Sequence, residues 1–466
     1  MARVLLIQAA VHNEHIECSP PLGLMSIASY ARRYGRHEVF LHDMRPPKAT
    51  LHDAVSFFEA VRPDYVGISA QSPDAPVMHQ LVETIRSRAP QVRIICGGVH
   101  ATAYWQDIMA ERPAIDFIVA GEGEVVFNEL VETLEQGRDP GGLSGVASRG
   151  TNGGVRFRPR DPLKDLDALP HPAWDLVDAG IYAALPRIGL IYKARRYMII
   201  ETARGCPFHC AWCHKTMGST HRMHSPEYVI EQMERLVKDH GIGEIVIIDD
   251  LFNLDTDRVE QIFSGVIARK LGAAICIPNG IRADRMPDRT LELMRKAGVY
   301  RVMFAVETAS ARLQKLMGKD LHFEKVERAI RKADELGMLV HGNFIIGLPT
   351  ETAEEVEQTI DYATRSLLDT VGIYRAIPFK GSQLYRIARQ EGIAVPEGEA
   401  TLSFWDPHVN LSRSSTEFLN RMKKYAYRRF YSRPGRIVRL IRKLPHRASM
   451  IPFLFGFFLR KALRDD

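Results

Sequence analysis

Between residues 4 and 376 the chain repeats one pattern, a short apolar run followed by a stretch of helical periodicity. Such runs are too short for helices and suit strands buried on both faces. Strands of this kind alternating with helices predict parallel sheets covered by helices, an α/β fold. The pattern comes in two series. In the first, strands are expected at 4–8 (VLLIQ), 37–43, 65–70, 92–98 and 117–121, with helices at 22–34, 76–88 and 123–136. Their short crossovers predict a doubly wound domain over residues 1–137. In the second, strands are expected at 197–203, 244–250, 274–280, 302–308, 342–348 and 370–376. Helical periods at 226–239, 255–270, 287–297, 323–337 and 351–366 separate them. Six such units are too few for a closed eight-fold barrel and predict a partial one over residues 196–385. Its functional residues should lie at the C-terminal ends of the strands.

Between the series, residues 138–195 hold RDPGGLSG, GTNGG and Pro170, Pro172 and Pro186, which predicts a linker. Residues 386–466 read as a helical, basic segment. With 466 residues, 45% hydrophobic and 25% charged, the composition excludes a disordered or collagen-like chain. No apolar run is long enough to span a membrane, and the first ten residues read as a strand rather than a signal peptide. A cytoplasmic protein is the expectation. The charge is uneven: residues 416–466 carry 14 Lys and Arg against 3 Asp and Glu, while the rest of the chain is slightly acidic. The basic character therefore belongs to the tail.

Three of the six cysteines, Cys206, Cys210 and Cys213, fall within eight residues, in GCPFHCAWCH just after the first strand of the second series. A large chain of cytosolic character uses such spacing for metal or cluster ligation rather than for disulfides. Three thiolates on a four-iron cluster would leave one iron open to a substrate or cofactor. A zinc site completed by His209 or His214 is the alternative.

Cys-x3-Cys-x2-Cys on the first loop of a six-unit barrel resembles the radical S-adenosylmethionine (SAM) superfamily, over roughly residues 197–380. The resemblance implies a [4Fe–4S] cluster on Cys206, Cys210 and Cys213, with SAM on the fourth iron. It further implies cleavage of SAM to a 5′-deoxyadenosyl radical that abstracts hydrogen from an unreactive carbon. Trp212 stands where the resemblance implies an aromatic residue beside the adenine. Glu307, ending the fourth strand, resembles the carboxylate that binds the ribose or amino group of SAM. Asn343, Ile345, Gly347 and Pro349, in NFIIGLP, resemble the motif flanking the adenine. Asn279 and Arg282, after the third strand, are candidates for SAM or substrate contact, as are Asp249 and Asp250, which end the second.

The resemblance extends to the first series. PPLGLMSIASYARRYGRHEVFLHD (20–43), ISAQSPDA (68–75), CGGVHAT (96–102) and AGEGEVVFNEL (120–130) resemble the cobalamin-binding domains fused to such barrels. Ligands of an open α/β sheet bind beyond the carboxyl ends of its strands. That places Ser69, Gln71 and Ser72, then Gly97, Gly98 and His100, then Gly121, Glu122 and Gly123 at the corrin. The Asp-x-His-x-x-Gly motif that sets a histidine under cobalt is absent, as is common in this subclass. The fold expected is thus α/β: a doubly wound, Rossmann-like cobalamin-binding domain, a partial (β/α)6 radical SAM barrel and a helical C-terminal segment.

The resemblance implies C-methylation of an unactivated carbon, with methylcobalamin as donor. An oxidative cyclase or ring-rearranging enzyme with the same cofactors is the alternative, on a tetrapyrrole- or hopanoid-type substrate. A methylthiotransferase acting on nucleic acid is disfavoured, because the first domain holds only Cys18 and Cys96. The expected partners are a small-molecule or lipid substrate and an external electron donor of flavodoxin or ferredoxin type. The basic, apolar tail, ending in MIPFLFGFFLRKALRDD, suits packing on the barrel or peripheral contact with a membrane.

Overall fold

The computed structural model describes residues 1–11, 18–46, 49–150, 153–185, 187, 191–213, 215, 217–395, 409–448, 450–452 and 456. The chain divides into two compact units, one built on Met1–Ile188 and the other on Gly189–Val395 with the C-terminal helices.

The first unit is a seven-stranded sheet. Its strands are β1 (Arg3–Gln8), β2 (Glu38–Asp43), β3 (Tyr65–Ser69), β4 (Arg93–Gly97), β5 (Phe117–Val119), β6 (Val146–Arg149) and β7 (Val155–Phe157). Their spatial order is β2-β1-β3-β4-β5-β6-β7, parallel through β5 and antiparallel beyond it. Both faces are apolar, as parallel pairing between helices requires. Leu5 and Ile7 of β1 enter one core with Val66, Ile68 and Ile94. Val4 and Leu6 enter the opposite core with Ile95, Phe127 and Leu130.

Three of the unit's five longer helices match the sequence periods, at Leu22–Arg33, Ala75–Arg88 and Glu124–Glu135. The other two, Leu51–Val61 and Gly98–Glu111, were not expected. The first of these opens with a reciprocal cap, in which Thr50 and Asp53 each accept the other's backbone N–H.

The stretch 138–195 is not a linker. Its strands β6 and β7 extend the first sheet. Farther on, Ala173 N donates to Met25 O (3.0 Å), Ser29 Oγ to His171 O (2.6 Å) and Tyr182 Oη to Asp43 Oδ2 (2.5 Å). The glycines that signal a loop here mark the turns between paired elements. Pro186 lies outside the described residues.

The second unit is a six-stranded parallel sheet of β8 (Tyr197–Ile200), β11 (Glu244–Ile247), β12 (Ala274–Ile277), β13 (Val299–Glu307), β14 (Leu339–Ile346) and β15 (Thr370–Arg375). Between β8 and β11 runs a short antiparallel ribbon, β9 (Ala203–Arg204) with β10 (Arg222–Met223). The six strands lie side by side in chain order from β8 to β15. This is a partial barrel, as the sequence predicts.

Helix Thr416–Tyr431 covers the open edge at β15. Tyr431 Oη accepts from Val371 N (3.2 Å) and Tyr427 Oη from Ile373 N (3.1 Å), which satisfies N–H groups an edge strand would leave unpaired. Helix Pro434–Lys443 follows and turns its charged side inward. Lys443 and Arg439 pair with Asp334 and Asp369, while Ile437 and Val438 are exposed. Most of the terminal apolar run, 453–455 and 457–466, lies outside the described residues.

Candidate active site

The ribbon of β9 and β10 closes the base of the loop that carries the cysteines. Gly205 starts it with φ +78°, and a Cβ there would lie 2.3 Å from Thr220 O, so only glycine fits. The loop is then fastened by its backbone. Cys206 N donates to Gly218 O (3.2 Å), Ala211 N to Met317 O (2.9 Å) and Leu384 N to Ala211 O (2.9 Å). Phe208 lies under the guanidinium of Arg282, 4.0 Å from its ring centroid. The three thiols are half-buried and in no disulfide.

Burial pushes the Cys210 thiol up to about 11, only partly countered by the charge of Lys319. It pushes Cys213 up as well. Thiols so placed ionise only against strong positive charge, which an iron–sulfur cluster supplies. The soft donor set fits that cluster. His214, the alternative ligand, lies outside the described residues.

Glu307 stands at the end of β13, where the pairing with β14 slips between Ala305 and Glu307. Its φ is +71°, a left-handed conformation that a side chain adopts only at a cost of about 1–3 kcal/mol. The slip and the strain together re-aim the carboxylate. It is 7% exposed and its pKa is raised by that burial, against the pull of Lys319, whose Nζ lies 3.3 Å away. Lys319 also sits 5.9 Å from the ring centroid of Trp212, and Gly318 O lies 3.8 Å from Cys210 Sγ. One loop thus ties the cysteines, the aromatic and the carboxylate together. Nothing in the sequence singles out Lys319, because an intervening helix, Ala311–Leu316, brings it back.

The remaining expected residues divide. Trp212 and Ile345 pack against one apolar cluster with Leu348. Gly347 has φ +81°, and its N–H and that of Leu348 donate to Glu351 Oε2 (2.5 and 3.1 Å). Pro349 is buried just beyond. Asn343 Oδ1 lies 2.8 Å from His341 Nε2, whose other ring nitrogen meets Thr370 Oγ1 at 2.7 Å.

Asn279 and Arg282 turn out to hold the framework. Asn279 Nδ2 donates to Ile248 O and Asp249 O (3.1 and 2.9 Å). Arg282 is held in a fork by Asp284 (3.1 and 3.0 Å). Asp249, fully buried, accepts from Thr202 N and Thr202 Oγ1 (2.6 and 2.5 Å), and burial lifts its pKa to about 7. Asp250 accepts from Gly205 N (3.3 Å) and so steadies the cysteine loop.

In the first unit, Ser69, Gly97 and Gly121 stand at or just past the ends of β3, β4 and β5, with Gly98 next to Gly97. A Cβ on Gly98 would lie 2.5 Å from Ser69 Oγ, and Gly98 has φ +83°. Gly121 has φ +91° with open space where a Cβ would point, and its N–H donates to Thr102 Oγ1 (3.0 Å). Gly123 makes room for Ile27, 2.8 Å from where its Cβ would be. Gln71 is exposed, and Ser72 and Glu122 are half-buried. Of these glycines only Gly121 has open space where a side chain would stand, which fits a ligand such as a corrin laid against that strand end; Gly98 and Gly123 are filled from within the unit. His100 does not join them. It is fully buried, with Nδ1 3.2 Å from Ser72 Oγ and its ring against Tyr104, and so props the turn from beneath.

The profile of the radical SAM superfamily matches residues 200–363, and that of the B12 binding domain matches residues 15–131. An uncharacterized methyltransferase of Pyrococcus horikoshii, PH0819, is 31% identical over 96% of this chain and 93% of its own. The cytidylyl-2-hydroxyethylphosphonate methyltransferase of Streptomyces wedmorensis is 30% identical over 82% of this chain and 80% of its own. The anaerobic magnesium-protoporphyrin IX monomethyl ester cyclase of Rubrivivax gelatinosus is 28% identical over 78% and 65%. Among solved structures, the cobalamin-dependent SAM radical enzyme OxsB superposes with a TM-score of 0.77 over 99% of this chain and 72% of its own, at 16% identity. The radical SAM methyltransferase TsrM of Kitasatospora setae gives 0.68 over 84% and 76%, at 20% identity. At those identities the structural likeness speaks for the fold.

Proposed function

The chain belongs to the radical SAM enzymes that carry a B12-binding domain, and from that premise we propose that it is a C-methyltransferase acting on an unactivated carbon. Its cofactors are a [4Fe–4S] cluster, SAM and cobalamin. Bound together, they supply a radical that removes a hydrogen atom from the substrate and a methyl group that replaces it. The observation that carries the reading is near-full-length similarity to PH0819, supported by the phosphonate methyltransferase.

The chain's own residues have defined tasks in this reading. Cys206, Cys210 and Cys213 would hold the cluster. Glu307, strained and buried, would bind the polar end or ribose of SAM, with Lys319 holding its charge in place. Trp212, Ile345 and the backbone at Gly347 would enclose the adenine, and His341 would fix the side-chain amide of Asn343. Gly121 would let cobalamin approach the backbone, with Ser69, Gly97 and Gly98 on the strand ends beside it.

The substrate in this reading is a small molecule or lipid, and an external flavodoxin- or ferredoxin-type protein supplies the electron. A cytoplasmic setting is part of the proposal, in keeping with cysteines that form no disulfide. No helix among the described residues is long and apolar enough to cross a membrane. Peripheral contact is supported by Ile437 and Val438, 42% and 47% exposed, with Arg433 and Arg442 nearby on the chain.

A second reading, an oxidative cyclase without methyl transfer, is favoured by the likeness to the porphyrin ester cyclase. One experiment separates the two. Anaerobically reconstituted protein would receive cobalamin, reductant, CD3-labelled SAM and an extract of the source cells, followed by mass spectrometry. A product carrying the labelled methyl, with both S-adenosylhomocysteine and 5′-deoxyadenosine formed, supports methylation. An altered but unlabelled product with 5′-deoxyadenosine alone overturns it in favour of the cyclase.

A further inference from the structure

The cover over the cysteine loop is thin at one place. Gly318 is exposed, yet its carbonyl oxygen lies 3.8 Å from Cys210 Sγ. A Cβ on Gly318 would lie 2.7 Å from His209 O, and φ there is +67°. Glycine alone lets the turn settle this closely on the loop. One peptide group thus links solvent to a sulfur proposed to hold the cluster.

The helix that delivers this turn, Ala311–Leu316, buries Leu313 and Gln314 and leaves Lys315 and Leu316 exposed. Leu316 is 49% exposed, the most exposed large apolar residue described in the second unit, and it stands two residues before Gly318. The charge around it has one sign. Residues 205–218 and 311–319 hold Lys215, Arg312, Lys315 and Lys319 and no acid, and Asp320 then ends the stretch. Arg312 is forked onto Glu355 (3.0 and 2.6 Å), and Lys319 pairs with Glu307. Lys315 makes no ion pair among the described residues. Lys215 Nζ lies 3.0 Å from Nδ1 of His209, itself exposed. An exposed apolar residue flanked by charge of one sign suits a partner of the opposite charge. Electron-transfer encounters use small, transient interfaces, so a patch of this size suffices.

We propose that the surface of His209, Lys315, Leu316 and Gly318 is where an acidic one-electron carrier protein docks to reduce the cluster. This rests on the reading of Cys206, Cys210 and Cys213 as cluster ligands. The carrier is oxidised by one electron and the cluster is reduced by one, with no bond made or broken between them. The Gly318 peptide is the shortest connection the structure offers between that surface and Cys210 Sγ.

The test uses anaerobically reconstituted holoenzyme, with a purified acidic flavodoxin as the probe. Binding is read from flavin fluorescence. Electron delivery is read from 5′-deoxyadenosine formed with reduced flavodoxin or with titanium(III) citrate. K315E and L316E should each weaken flavodoxin binding and slow flavodoxin-driven cleavage by about tenfold or more, the scale of electrostatic steering. Cleavage driven by titanium citrate should match wild type, because neither residue belongs to the proposed SAM site. Lys296 is exposed at the end of helix Asp288–Lys296, just before the N-terminal end of β13. K296E makes the same charge change there and should behave as wild type. Added salt should weaken wild-type binding and leave the titanium reaction unchanged. Variants that bind flavodoxin as wild type does, a K296E that loses as much, salt-insensitive binding, or a titanium-driven reaction that falls with the rest overturns the docking surface. So does a wild type that takes electrons from titanium citrate but binds no flavodoxin. If a protein with the cluster's absorption cleaves no SAM with titanium citrate, the functional reading falls, and the binding data decide the surface by themselves.

Discussion

Replacing Arg436 with methionine should loosen the C-terminal helices from the barrel while leaving the residues around the cysteines untouched. Arg436 is 5% exposed, and its guanidinium donates to four carbonyls, Leu368 (3.0 Å), Phe430 (2.7 Å), Thr364 (2.7 Å) and Ser366 (2.9 Å). It also lies 3.6 Å from the ring centroid of Phe430. Burial lowers its pKa to about 10, so it remains a cation at neutral pH.

Two of those carbonyls belong to the end of helix Ala353–Arg365, where the last backbone acceptors have no partner within the helix and a cation is welcome. Hydrogen bonds to a charged group contribute about 1.5–3 kcal/mol each, offset by several kcal/mol for taking the charge out of water. Methionine keeps most of the stem's volume, so the cavity contribution is small. It cannot serve the carbonyls, which stay buried because they are backbone. The expected cost is about 3–5 kcal/mol, the range for breaking a buried charged network. For a unit of this size that is a fall of roughly 6–20 °C in Tm. Thermal and urea unfolding followed by circular dichroism would measure it, with R436K falling between because an ammonium cannot reach four acceptors in one plane. A methionine variant within about 1 kcal/mol of wild type would refute the argument that the carbonyls depend on this side chain.

Other expectations follow from single contacts. Y427F removes the acceptor for Ile373 N at the sheet edge and should cost about 1 kcal/mol in urea unfolding. Burial raises the Glu351 pKa from 4.5 to about 7, so folding takes up a proton between those values. Its contribution to stability is therefore full below about pH 4.5 and is lost as pH rises to about 7. E351Q should flatten that fall between pH 5 and 8, and an unchanged slope would assign it to other groups. G98A places a Cβ 2.5 Å from Ser69 Oγ at positive φ, so it should destabilise the first unit by about 1–3 kcal/mol and weaken cobalamin binding in equilibrium dialysis. C210A should lose the visible iron–sulfur absorption and all SAM cleavage while keeping the wild-type far-ultraviolet spectrum.

The order of elements and the cysteine loop were legible because their signals are local. A buried parallel strand must be an apolar run, so the parallel strands of both sheets showed in the sequence, most of them ending one to three residues before the bounds expected, whereas the antiparallel β6 and β7 did not show. Two helices were missed for local reasons as well. Leu51–Val61 is announced by Thr50 and Asp53, an aspartate where a capping box usually has Glu or Gln. Gly98–Glu111 begins on the glycine that ends the preceding strand's motif. The linker was misread because glycines and prolines mark turns between paired strands as readily as they mark a free connection.

What the sequence determined was chemistry carried on neighbouring residues: three thiols at fixed spacing, a carboxylate ending a strand, glycines after strands. What the tertiary structure decided was which side chains remain available. Asn279, Arg282 and His100 sit where a ligand contact was expected, yet Asn279 Nδ2 bonds backbone carbonyls, the Arg282 guanidinium is held by Asp284, and His100 is fully buried. Lys319 carried no signal, because it reaches its place beside Glu307 and Trp212 through a loop whose register is set by contacts distant in sequence. Burial and charge pairing depend on what lies across the fold, and a one-dimensional pattern holds no record of that.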